Sequence, residues 1–424
     1  MIKLLHFSDA HIDIASQGKR DPQSGLPIRV LDFLKALDTI VDTAINEKVD
    51  LVIFAGDAYK DRTPVPTFQR EWGKRIMRLS QAQIPTILLV GNHDISPAAG
   101  RATALQEFNT LSVPNVHLVS RPEFISSDQL GDLPIQIIAI PWITRSGFLS
   151  AHQDELKNMD DIDTNIESIT SQIIDQLLEN VDPNLPTILT AHASVQGAVY
   201  GAERSIMLGH DIVLPISLVK RPEFDYVALG HIHKAQDLNE NGHPRVIYPG
   251  SIERVDFGEA KDDKKFVIAE IEKGKSKISW RMLEGRPFID IPLNLKDINP
   301  NENDQTPTPQ EIINYLENTL IDSTEVEDAV VKVTLVYPKD WENLINDQWF
   351  QERFAPALDF HLIRKPIFST RLRLGEDESI SNLPHEKLLA LYWESQKISP
   401  EEIETLQIIA KEIIYNQNQE EVIN

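Results

Sequence analysis

The sequence predicts an α/β fold, a layered sheet sandwich flanked by helices, followed by a small α+β domain and C-terminal helices. Three observations support this prediction. Over the first 285 of the 424 residues, short apolar runs alternate with helix-like patterns; polar side chains follow most of these runs; and the composition changes near Pro287. Strands that alternate with helices favour a layered sheet whose faces are covered by helices.

The elements of the first 285 residues follow from the spacing of apolar side chains. Residues 29–47 place a row of them on one helical face: Val30, Leu34, Leu37, Val41 and Ala44. Residues 163–180 predict a second helix. Short apolar runs predict strands at residues 2–7, 50–55, 85–90, 116–119, 135–140, 187–190, 226–229 and 246–248. Residues 264–271 and 277–283 predict a closing hairpin around Gly274.

The remaining residues predict a different organisation. Four prolines among Asn and Asp indicate a loop or linker over residues 292–309. A β-α-β pattern follows, with a helix at 309–320, a strand at 329–337, further helix and a strand at 366–374. After a polar break at residues 375–378, helices are predicted at 384–397 and 400–416. We therefore expect three domains, comprising residues 1–285, 286–376 and 377–424.

Composition limits the cellular setting and the ligand. The chain has no cysteine, and it shows neither a signal peptide nor a run of 18 apolar residues, so a cytoplasmic protein without disulfides or membrane spans is expected. The net charge is −24, and residues 286–424 hold 26 acidic residues against 12 basic ones. Overall charge bears on solubility and association and does not exclude an anionic ligand at one site.

Five short motifs carry the candidate chemistry, and most of them come directly after a predicted strand. They are Asp9-Ala10-His11, Gly56-Asp57, Gly91-Asn92-His93-Asp94, Ala191-His192-Ala193 and Gly230-His231-Ile232-His233. Each motif alone is compatible with an ordinary turn. In open α/β sheets, however, ligands bind beyond the carboxyl ends of the strands, and five such ends would bring these side chains to one edge.

The residue types indicate a metal site. Carboxylate, amide and imidazole ligands suit Mn²⁺, Fe or Zn²⁺, and no thiolate is available. Period two predicts that Asp9 and His11 share one face of an extended segment, as do His231 and His233. Two ions about 3.5–4 Å apart can act together on an in-line displacement at phosphorus, and a carboxylate such as Asp57 can bridge them.

In this order, the five motifs resemble those of the calcineurin-like metallophosphoesterase superfamily. Three further segments resemble the bacterial SbcD nuclease family: Gly56–Pro64, Tyr248–Arg254 and Asp256–Glu259. The resemblance is specific over about residues 1–285. It implies a metallophosphoesterase sandwich, a capping and DNA-binding domain at 286–376, and a partner-binding helical segment at 377–424.

The resemblance also implies a role for each site residue. One divalent ion, expected to be Mn²⁺, would be held by Asp9, His11, Asp57 and His233. The second would be held by Asp57, Asn92, His192 and His231. His93 would face the leaving group, and Asp94 would orient His93. Lys60 departs from the pattern, since relatives often carry an acid or a histidine at that position.

Two basic clusters favour DNA as the substrate. Residues 60–78 have a local net charge of +4, and residues 361–373 hold four basic residues and no acid. Such clusters can neutralise backbone phosphates, although each is also compatible with a solvated surface. The candidate DNA contacts are Lys60, Arg62, Arg70, Lys74, Arg364 and Arg371. Two alternatives remain open: a phosphodiesterase acting on nucleotides or phosphoproteins, and a non-catalytic scaffold for an ATPase.

The C-terminal helices are candidates for partner binding. Ser399 and Glu402 form a capping box around Pro400, and an apolar stripe follows in the same helix: Ile403, Leu406, Ala410 and Ile413. The resemblance implies that this stripe receives the coiled coil of an SbcC-type ATPase, within a heterotetramer that contains a homodimer of this chain. The alternative is that the helices dock on the protein's own cap. Gly274-Lys275-Ser276 lacks the earlier glycine of a nucleotide-binding loop, so any ATP dependence would come from the partner.

Overall fold

The computed structural model of the chain describes residues 1–12, 19–95, 101–143, 162–201, 213–298, 306–320, 325–368, 385–395, 398–399 and 402–410. Two six-stranded sheets dominate it. The strands of the first sheet are β1 (Ile2–Phe7), β2 (Leu51–Phe54), β3 (Thr86–Leu89), β4 (Val116–Val119), β13 (Lys265–Glu272) and β14 (Lys275–Met282). The strands of the second are β5 (Glu123–Ile125), β6 (Gln136–Ile140), β7 (Thr187–His192), β10 (Tyr226–Gly230), β11 (Gln236–Asp237) and β12 (Arg245–Tyr248). The first sheet has the strand order β14-β13-β1-β2-β3-β4, and the second has the order β11-β12-β10-β7-β6-β5.

The central strands of both sheets run parallel, and antiparallel strands flank them. In the first sheet β1, β2, β3 and β4 are parallel, and β13 is antiparallel to β1. In the second, β6, β7, β10 and β12 are parallel, with β5 and β11 antiparallel at the edges. The carboxyl ends of the parallel strands within each sheet therefore lie at one edge.

Apolar side chains fill the space between the sheets and cover their outer faces. One buried cluster joins Leu4 and Ile53 of the first sheet to Ile188 and Ala228 of the second. Because strands buried on both faces need apolar side chains, β2 is a continuous apolar run, and β3 is apolar after its first residue, Thr86. Burying one such side chain contributes roughly 1.5–3 kcal/mol to stability.

Helices cover the outer faces and complete a four-layer arrangement. The helices of this part are α1 (Ile28–Asn46), α2 (Pro66–Gln81), α3 (Gln106–Thr110), α4 (Ile162–Leu178) and α5 (Ile216–Val219). Helix α1 buries the predicted stripe, including Val30 and Leu37, against the first sheet. Helix α2 begins with Pro66, whose fixed φ suits the first turn, and buries Trp72 in the same cluster. The predicted α/β sandwich is confirmed.

Smaller elements complete the description. The short strands β8 (Ser194–Val195) and β9 (Val213–Leu214) pair in parallel, and a three-stranded sheet has the order β15 (Phe288–Asn294), β16 (Val330–Pro338), β17 (Asp359–Ile367). The later helices are α6 (Pro309–Thr319), α7 (Asp347–Arg353), α8 (His385–Ser395) and α9 (402–410). Within these described ranges, no helix is long and apolar enough to cross a membrane.

Two predictions for the later residues are wrong. The linker predicted at 292–309 is wrong over its first part, which is the end of β15 and a 3₁₀ helix at Leu295–Ile298. Ile291 and Leu293 continue a strand-like alternation that the prolines obscure, and residues 299–305 lie outside the described residues. The strand predicted at 366–374 is β17, Asp359–Ile367; residues 369–374 lie outside the described residues. Half-buried and exposed residues alternate along the second half of β17, from residue 362 to residue 367. Basic residues interrupt the apolar ones there, so the sequence does not show a clear strand pattern.

The chain divides into two compact units. The first comprises Met1–Ile291, Ile321–Lys332 and Gln351–His361, and the second comprises Pro292–Leu320, Val333–Phe350 and Leu362–Asn424. Both six-stranded sheets belong to the first unit. The domain boundaries expected after residues 285 and 376 remain predictions.

Candidate metal centre

The five motifs meet where parallel strands of the two sheets end. Asp9, Asp57 and Asn92 follow the neighbouring strands β1, β2 and β3 of the first sheet. His192 ends β7 and His231 follows β10, which are neighbours in the second sheet. The side chains are brought together by sheet topology, although they are far apart in the sequence.

The backbone of the motifs is not extended, which corrects the period-two expectation. Asp9, His11, Asp57 and His231 have φ angles of 53°, 41°, 64° and 100°. Positive φ costs a non-glycine residue roughly 1–3 kcal/mol and persists where surrounding contacts enforce it. Backbone bonds from Asp9 N to Gly56 O at 2.9 Å and from His11 N to Asp57 O at 3.1 Å supply that enforcement. The strained turns, rather than strand pleating, aim the side chains inward.

One ligand group forms around Asp9, His11 and His233. Nε2 of His11 lies 2.9 Å from Nε2 of His233 and 3.8 Å from Oδ1 of Asp9. Asp9 is fixed by the hydroxyl of Ser8, which donates to Oδ2 at 2.5 Å, and by the backbone N–H of His231 at 3.0 Å. These contacts leave the two imidazole nitrogens facing a common point.

A second group forms around Asp57, His192 and His231. Oδ1 of Asn92 lies 3.0 Å from both Nε2 of His192 and Nδ1 of His231. Oδ2 of Asp57 lies 3.4 Å from Nε2 of His192. Nδ1 of His192 donates to the carbonyl of Ala55 at 2.7 Å, which turns Nε2 toward the group.

Asp57 lies between the two groups. Its Oδ2 is also 3.8 Å from Nε2 of His11, so this carboxylate is within reach of ligands from both groups. Burial would raise the pKa of Asp57, but His192, His93 and His11 together hold it well below the usual range. Burial lowers the pKa of His192, yet the Asp57 carboxylate more than offsets this and raises it to about 9.

The donor set fits divalent metal ions. The side chains offer carboxylate and amide oxygens and imidazole nitrogens, a combination that suits Mn²⁺, Fe or Zn²⁺. Among the described residues, Nδ1 of buried His11 has no hydrogen-bond partner. The contacts of this ring with the candidate ligands are therefore made by Nε2. Buried, converging donors of this kind are costly without a shared cation.

His93 is half-buried and forms a third group with His11 and Asp57, whose candidate ligand atoms lie within 4.8 Å of one another. Its ring centroid is 5.1 Å from that of His11, and its backbone N–H donates to Oδ1 of Asp57 at 2.8 Å. Nδ1 of His93 lies 2.6 Å from the carbonyl oxygen of Lys60, to which it donates. Nε2 therefore remains for a substrate.

An orienting role of Asp94 toward His93 stays a prediction, and the described hydrogen bonds of Asp94 go elsewhere. Its buried carboxylate accepts the backbone N–H groups of Asp57 at 2.9 Å, Ala58 at 3.0 Å and Gly91 at 2.9 Å. The carbonyl of Lys60 holds the His93 ring instead. Asp94 thus ties together the loops that follow β2 and β3.

Two residues near the centre were missed from the sequence. Oε1 of buried Glu259 accepts Nδ1–H of His233 at 2.7 Å. Burial would raise the pKa of Glu259, but His233 and Lys264 hold it well below the usual range. The Trp142 ring lies 4.8 Å from that of His231. Glu259 belongs to a segment already singled out by resemblance, whereas no motif marked Trp142.

Two motif glycines are required by close approach. A Cβ on Gly91 would lie 2.1 Å from Oδ1 of Asp57. Gly56 has a φ of 101°, and a Cβ there would lie 2.3 Å from Nδ1 of His192. Any larger residue at either position would displace a ligand side chain.

The candidate DNA contacts differ in their surroundings. Lys60 and Arg62 are exposed and form no ion pair with the described residues. Arg70 and Lys74 both pair with Glu71, at 2.9 and 3.0 Å. Other pairs offset more of the basic cluster: Arg75 with Asp38, and Arg78 with Asp38 and Asp42. Arg364 pairs with Asp347, and Arg371 lies outside the described residues.

Comparison with known proteins agrees with this centre. Residues 2–235 match the profile of the calcineurin-like phosphoesterase family. The protein TT1561 of Thermus thermophilus is 14% identical, with a TM-score of 0.37 over 66% of this chain and 98% of that one. A dimetal phosphatase from Danio rerio is 10% identical, with a TM-score of 0.35 over 65% and 98% of the two chains. The profile match spans more than half of the chain and contains every ligand from Asp9 to His233, so this chain belongs to the calcineurin-like phosphoesterase family of metal-dependent hydrolases.

Proposed function

We propose that this protein hydrolyses DNA phosphodiester bonds with two divalent metal ions, Mn²⁺ in the native enzyme, as the nuclease subunit of an SbcCD-type complex. One observation carries the two-metal part: Oδ2 of Asp57 lies within 4 Å of His11 in one ligand group and of His192 in the other. Asp9, His11, Asp57 and His233 would hold one ion. The second would be held by Asp57, Asn92, His192 and His231.

The residues around the ions perform the remaining tasks. When bound, the ions supply Lewis acidity that lowers the pKa of water to roughly 7 and offsets charge on the phosphate oxygens. His93 is oriented by the Lys60 carbonyl with Nε2 toward the substrate side. In its protonated form, His93 donates that proton to the departing sugar oxygen, a step worth about 10²–10⁴-fold in rate.

DNA as the substrate is supported by the resemblance of three segments to the SbcD family and by the position of Lys60 and Arg62. The Lys60 carbonyl contacts His93, so its exposed side chain and that of Arg62 start beside the catalytic edge. Cations without a protein partner are suited to backbone phosphates. Arg70, Lys74 and Arg364 already neutralise carboxylates and would contribute less.

A cleavage assay tests the substrate. With Mn²⁺, the protein should degrade linear DNA far faster than it hydrolyses phosphate monoesters, cyclic nucleotides or phosphopeptides. Replacing Lys60 and Arg62 with Gln should weaken DNA binding and reduce the salt slope by about 1 for each charge removed. The matched control replaces exposed Lys275 and Lys277 of β14 and should change neither quantity. Hydrolysis of small esters without cleavage of DNA would contradict the proposal and favour a nucleotide or phosphoprotein phosphodiesterase.

The C-terminal helices support an ATPase partner. Of the predicted stripe, Ile403, Leu406 and Ala410 are half-buried, and Ile413 lies outside the described residues. Exposed apolar side chains of these helices are instead Tyr392 of α8 and Ile408 and Ile409 of α9, at 51%, 59% and 48% accessible. A partner's coiled coil would cover such a surface, as in recognition of helices by apolar grooves. In this proposal the complex is a cytoplasmic heterotetramer built on a homodimer of the nuclease chain.

Point variants test the partner assignment without removing any segment. Replacing Ile408 and Ile409 with Glu should abolish co-purification with an SbcC-type ATPase and any ATP stimulation, while Mn²⁺-dependent cleavage of short DNA persists. Glu402→Gln and Glu404→Gln, on exposed positions of the same helix, are the controls. Full recovery of the ATPase by the Ile408 and Ile409 variant would contradict the assignment.

A further inference from the structure

A buried carboxylate lies directly behind one of the metal-ligand histidines. Glu259 ends a 3₁₀ helix, Phe257–Glu259, and its side chain is 1% accessible. Oε1 accepts a hydrogen bond from Nδ1 of His233 at 2.7 Å. The ring nitrogen on the opposite side, Nε2, lies 2.9 Å from Nε2 of His11. The carboxylate and the ligand group therefore lie on opposite sides of one imidazole.

The second oxygen of Glu259 is held by three donors. Lys264 Nζ lies 2.5 Å from Oε2, the hydroxyl of Ser251 lies 2.9 Å from it, and the backbone N–H of Val255 lies 3.2 Å from it. Lys264 is itself buried and also donates to Ser251 at 2.7 Å. The position of the carboxylate is thus fixed from every side by charge and hydrogen bonds.

A buried ion pair of this kind is not explained by stability alone. Desolvation of Glu259 and Lys264 offsets much of their attraction, and well-packed apolar side chains would often stabilise a fold as well. The pair instead places a full negative charge against Nδ1–H of His233. A carboxylate in this position fixes the tautomer and the ring orientation, and it makes the free nitrogen a stronger ligand.

Two other histidines of the centre, His192 and His11, are held differently. His192 is oriented by a backbone carbonyl, that of Ala55, and Nδ1 of His11 has no hydrogen-bond partner among the described residues. Residues shortly before Glu259 contact two motifs of this ligand group, because Ile252 N donates to Asp9 O and Ser251 N donates to His233 O. The ligand group of Asp9, His11 and His233 therefore depends on this segment more than the other group does.

We propose that Glu259, anchored by Lys264, is a positioning residue that fixes His233 in the Nδ1–H tautomer and aims Nε2 at the ion shared with Asp9 and His11. The inference rests on the proposed two-metal centre and does not depend on DNA as the substrate. It predicts that loss of the carboxylate weakens the binding of the ion at Asp9, His11 and His233, whereas the ion at Asn92 and His192 stays bound.

Metal titration tests this role. Calorimetry with MnCl₂ on Glu259→Gln should show about 10–100-fold weaker affinity at one of two sites, the range typical of such outer partners. Hydrolysis of bis(p-nitrophenyl) phosphate should recover at high Mn²⁺. Glu253→Gln is the matched control, since Glu253 is equally buried in the same segment but accepts backbone N–H groups of Arg254 and Arg286.

Two further measurements keep the result decisive. Should Glu259→Gln fold poorly because Lys264 loses its counter-charge, the double variant with Lys264→Met removes both charges and should show the same one-site loss. In the unaltered ion-free protein, nitrogen-15 NMR should find the His233 proton on Nδ1. Two wild-type affinities in a folded variant, or a proton on Nε2 of His233, would overturn the inference.

Discussion

Nε2 of His11 and Nε2 of His233 lie 2.9 Å apart, although 222 residues separate them in the chain. His11 follows the first strand of one sheet, and His233 follows a central strand of the other. The two nitrogens face each other because both sheets end their parallel strands at the same edge. Their contact joins the two sheets at the point where the chemistry is expected.

His93→Ala tests the assignment of the leaving-group donor. The variant should lower kcat for a phosphodiester by about 10²–10⁴-fold, because Nε2 of His93 no longer donates a proton to the departing sugar oxygen. Manganese content should stay at the wild-type level, because the proposed ligand sets of both ions do not include His93. Metal analysis beside single-turnover kinetics checks both. Loss of metal together with activity would make His93 a ligand and remove its role as a proton donor.

Asp94→Ala separates two roles for the carboxylate next to His93. Because Asp94 accepts three buried backbone N–H groups, we expect a loss of several kcal/mol in the free energy of unfolding, at ~1–3 kcal/mol for each unsatisfied donor. Urea unfolding of the ion-free protein measures this. Asp263→Ala, on an exposed side chain, is the control. Unchanged stability with reduced turnover would instead favour the role of orienting His93.

His6 should make stability depend on pH. Burial lowers the pKa of this ring to about 3, while Nδ1 accepts from the Tyr226 hydroxyl and Nε2–H donates to the Leu229 carbonyl. Below pH 6.5 the unfolded chain binds a proton that the folded chain does not. The stability present above pH 6.5 is therefore lost as the pH falls toward 3.

A pair of unfolding curves checks this prediction. Between pH 7 and pH 5.5 the wild-type protein should lose roughly 1 kcal/mol more than His6→Gln. Urea denaturation in the presence of a chelator removes the contribution of bound metal. Equal losses in the two proteins would show that His6 titrates normally in the folded state.

The convergence of the candidate ligands can be predicted because their motifs mostly come directly after predicted strands. Most motifs directly follow an apolar run, and parallel strands bring such ends to one edge, so the convergence of Asp57 and His192 follows from the sequence. The geometry of the turns was not predictable in the same way. At Asp9 and His231, positive φ depends on hydrogen bonds to distant residues, since Asp9 N donates to Gly56 O and His231 N donates to the Asp9 carboxylate. Such bonds leave no local pattern in the sequence beyond the neighbouring glycines.

Other features of the site differ from the sequence-based expectation because they depend on contacts between distant segments. Glu259 lies 26 residues after His233, and nothing in its immediate sequence shows that its oxygen reaches that ring. Adjacency to His93 suggests an orienting contact for Asp94, whereas its described hydrogen bonds come from the backbone N–H groups of Asp57, Ala58 and Gly91. The basic cluster of α2 looked unpaired in the sequence, since Asp38 belongs to another helix.

The shared carboxylate of Asp57 is the central claim, and metal content tests it most directly. After equilibration with Mn²⁺, the wild-type chain should hold two ions by mass spectrometry. Asp57→Asn should lose affinity at both sites and abolish phosphodiester hydrolysis, because Asp57 lies within reach of His11 and His192. An Asp57→Asn protein that keeps two manganese ions and full hydrolysis would contradict the two-metal account.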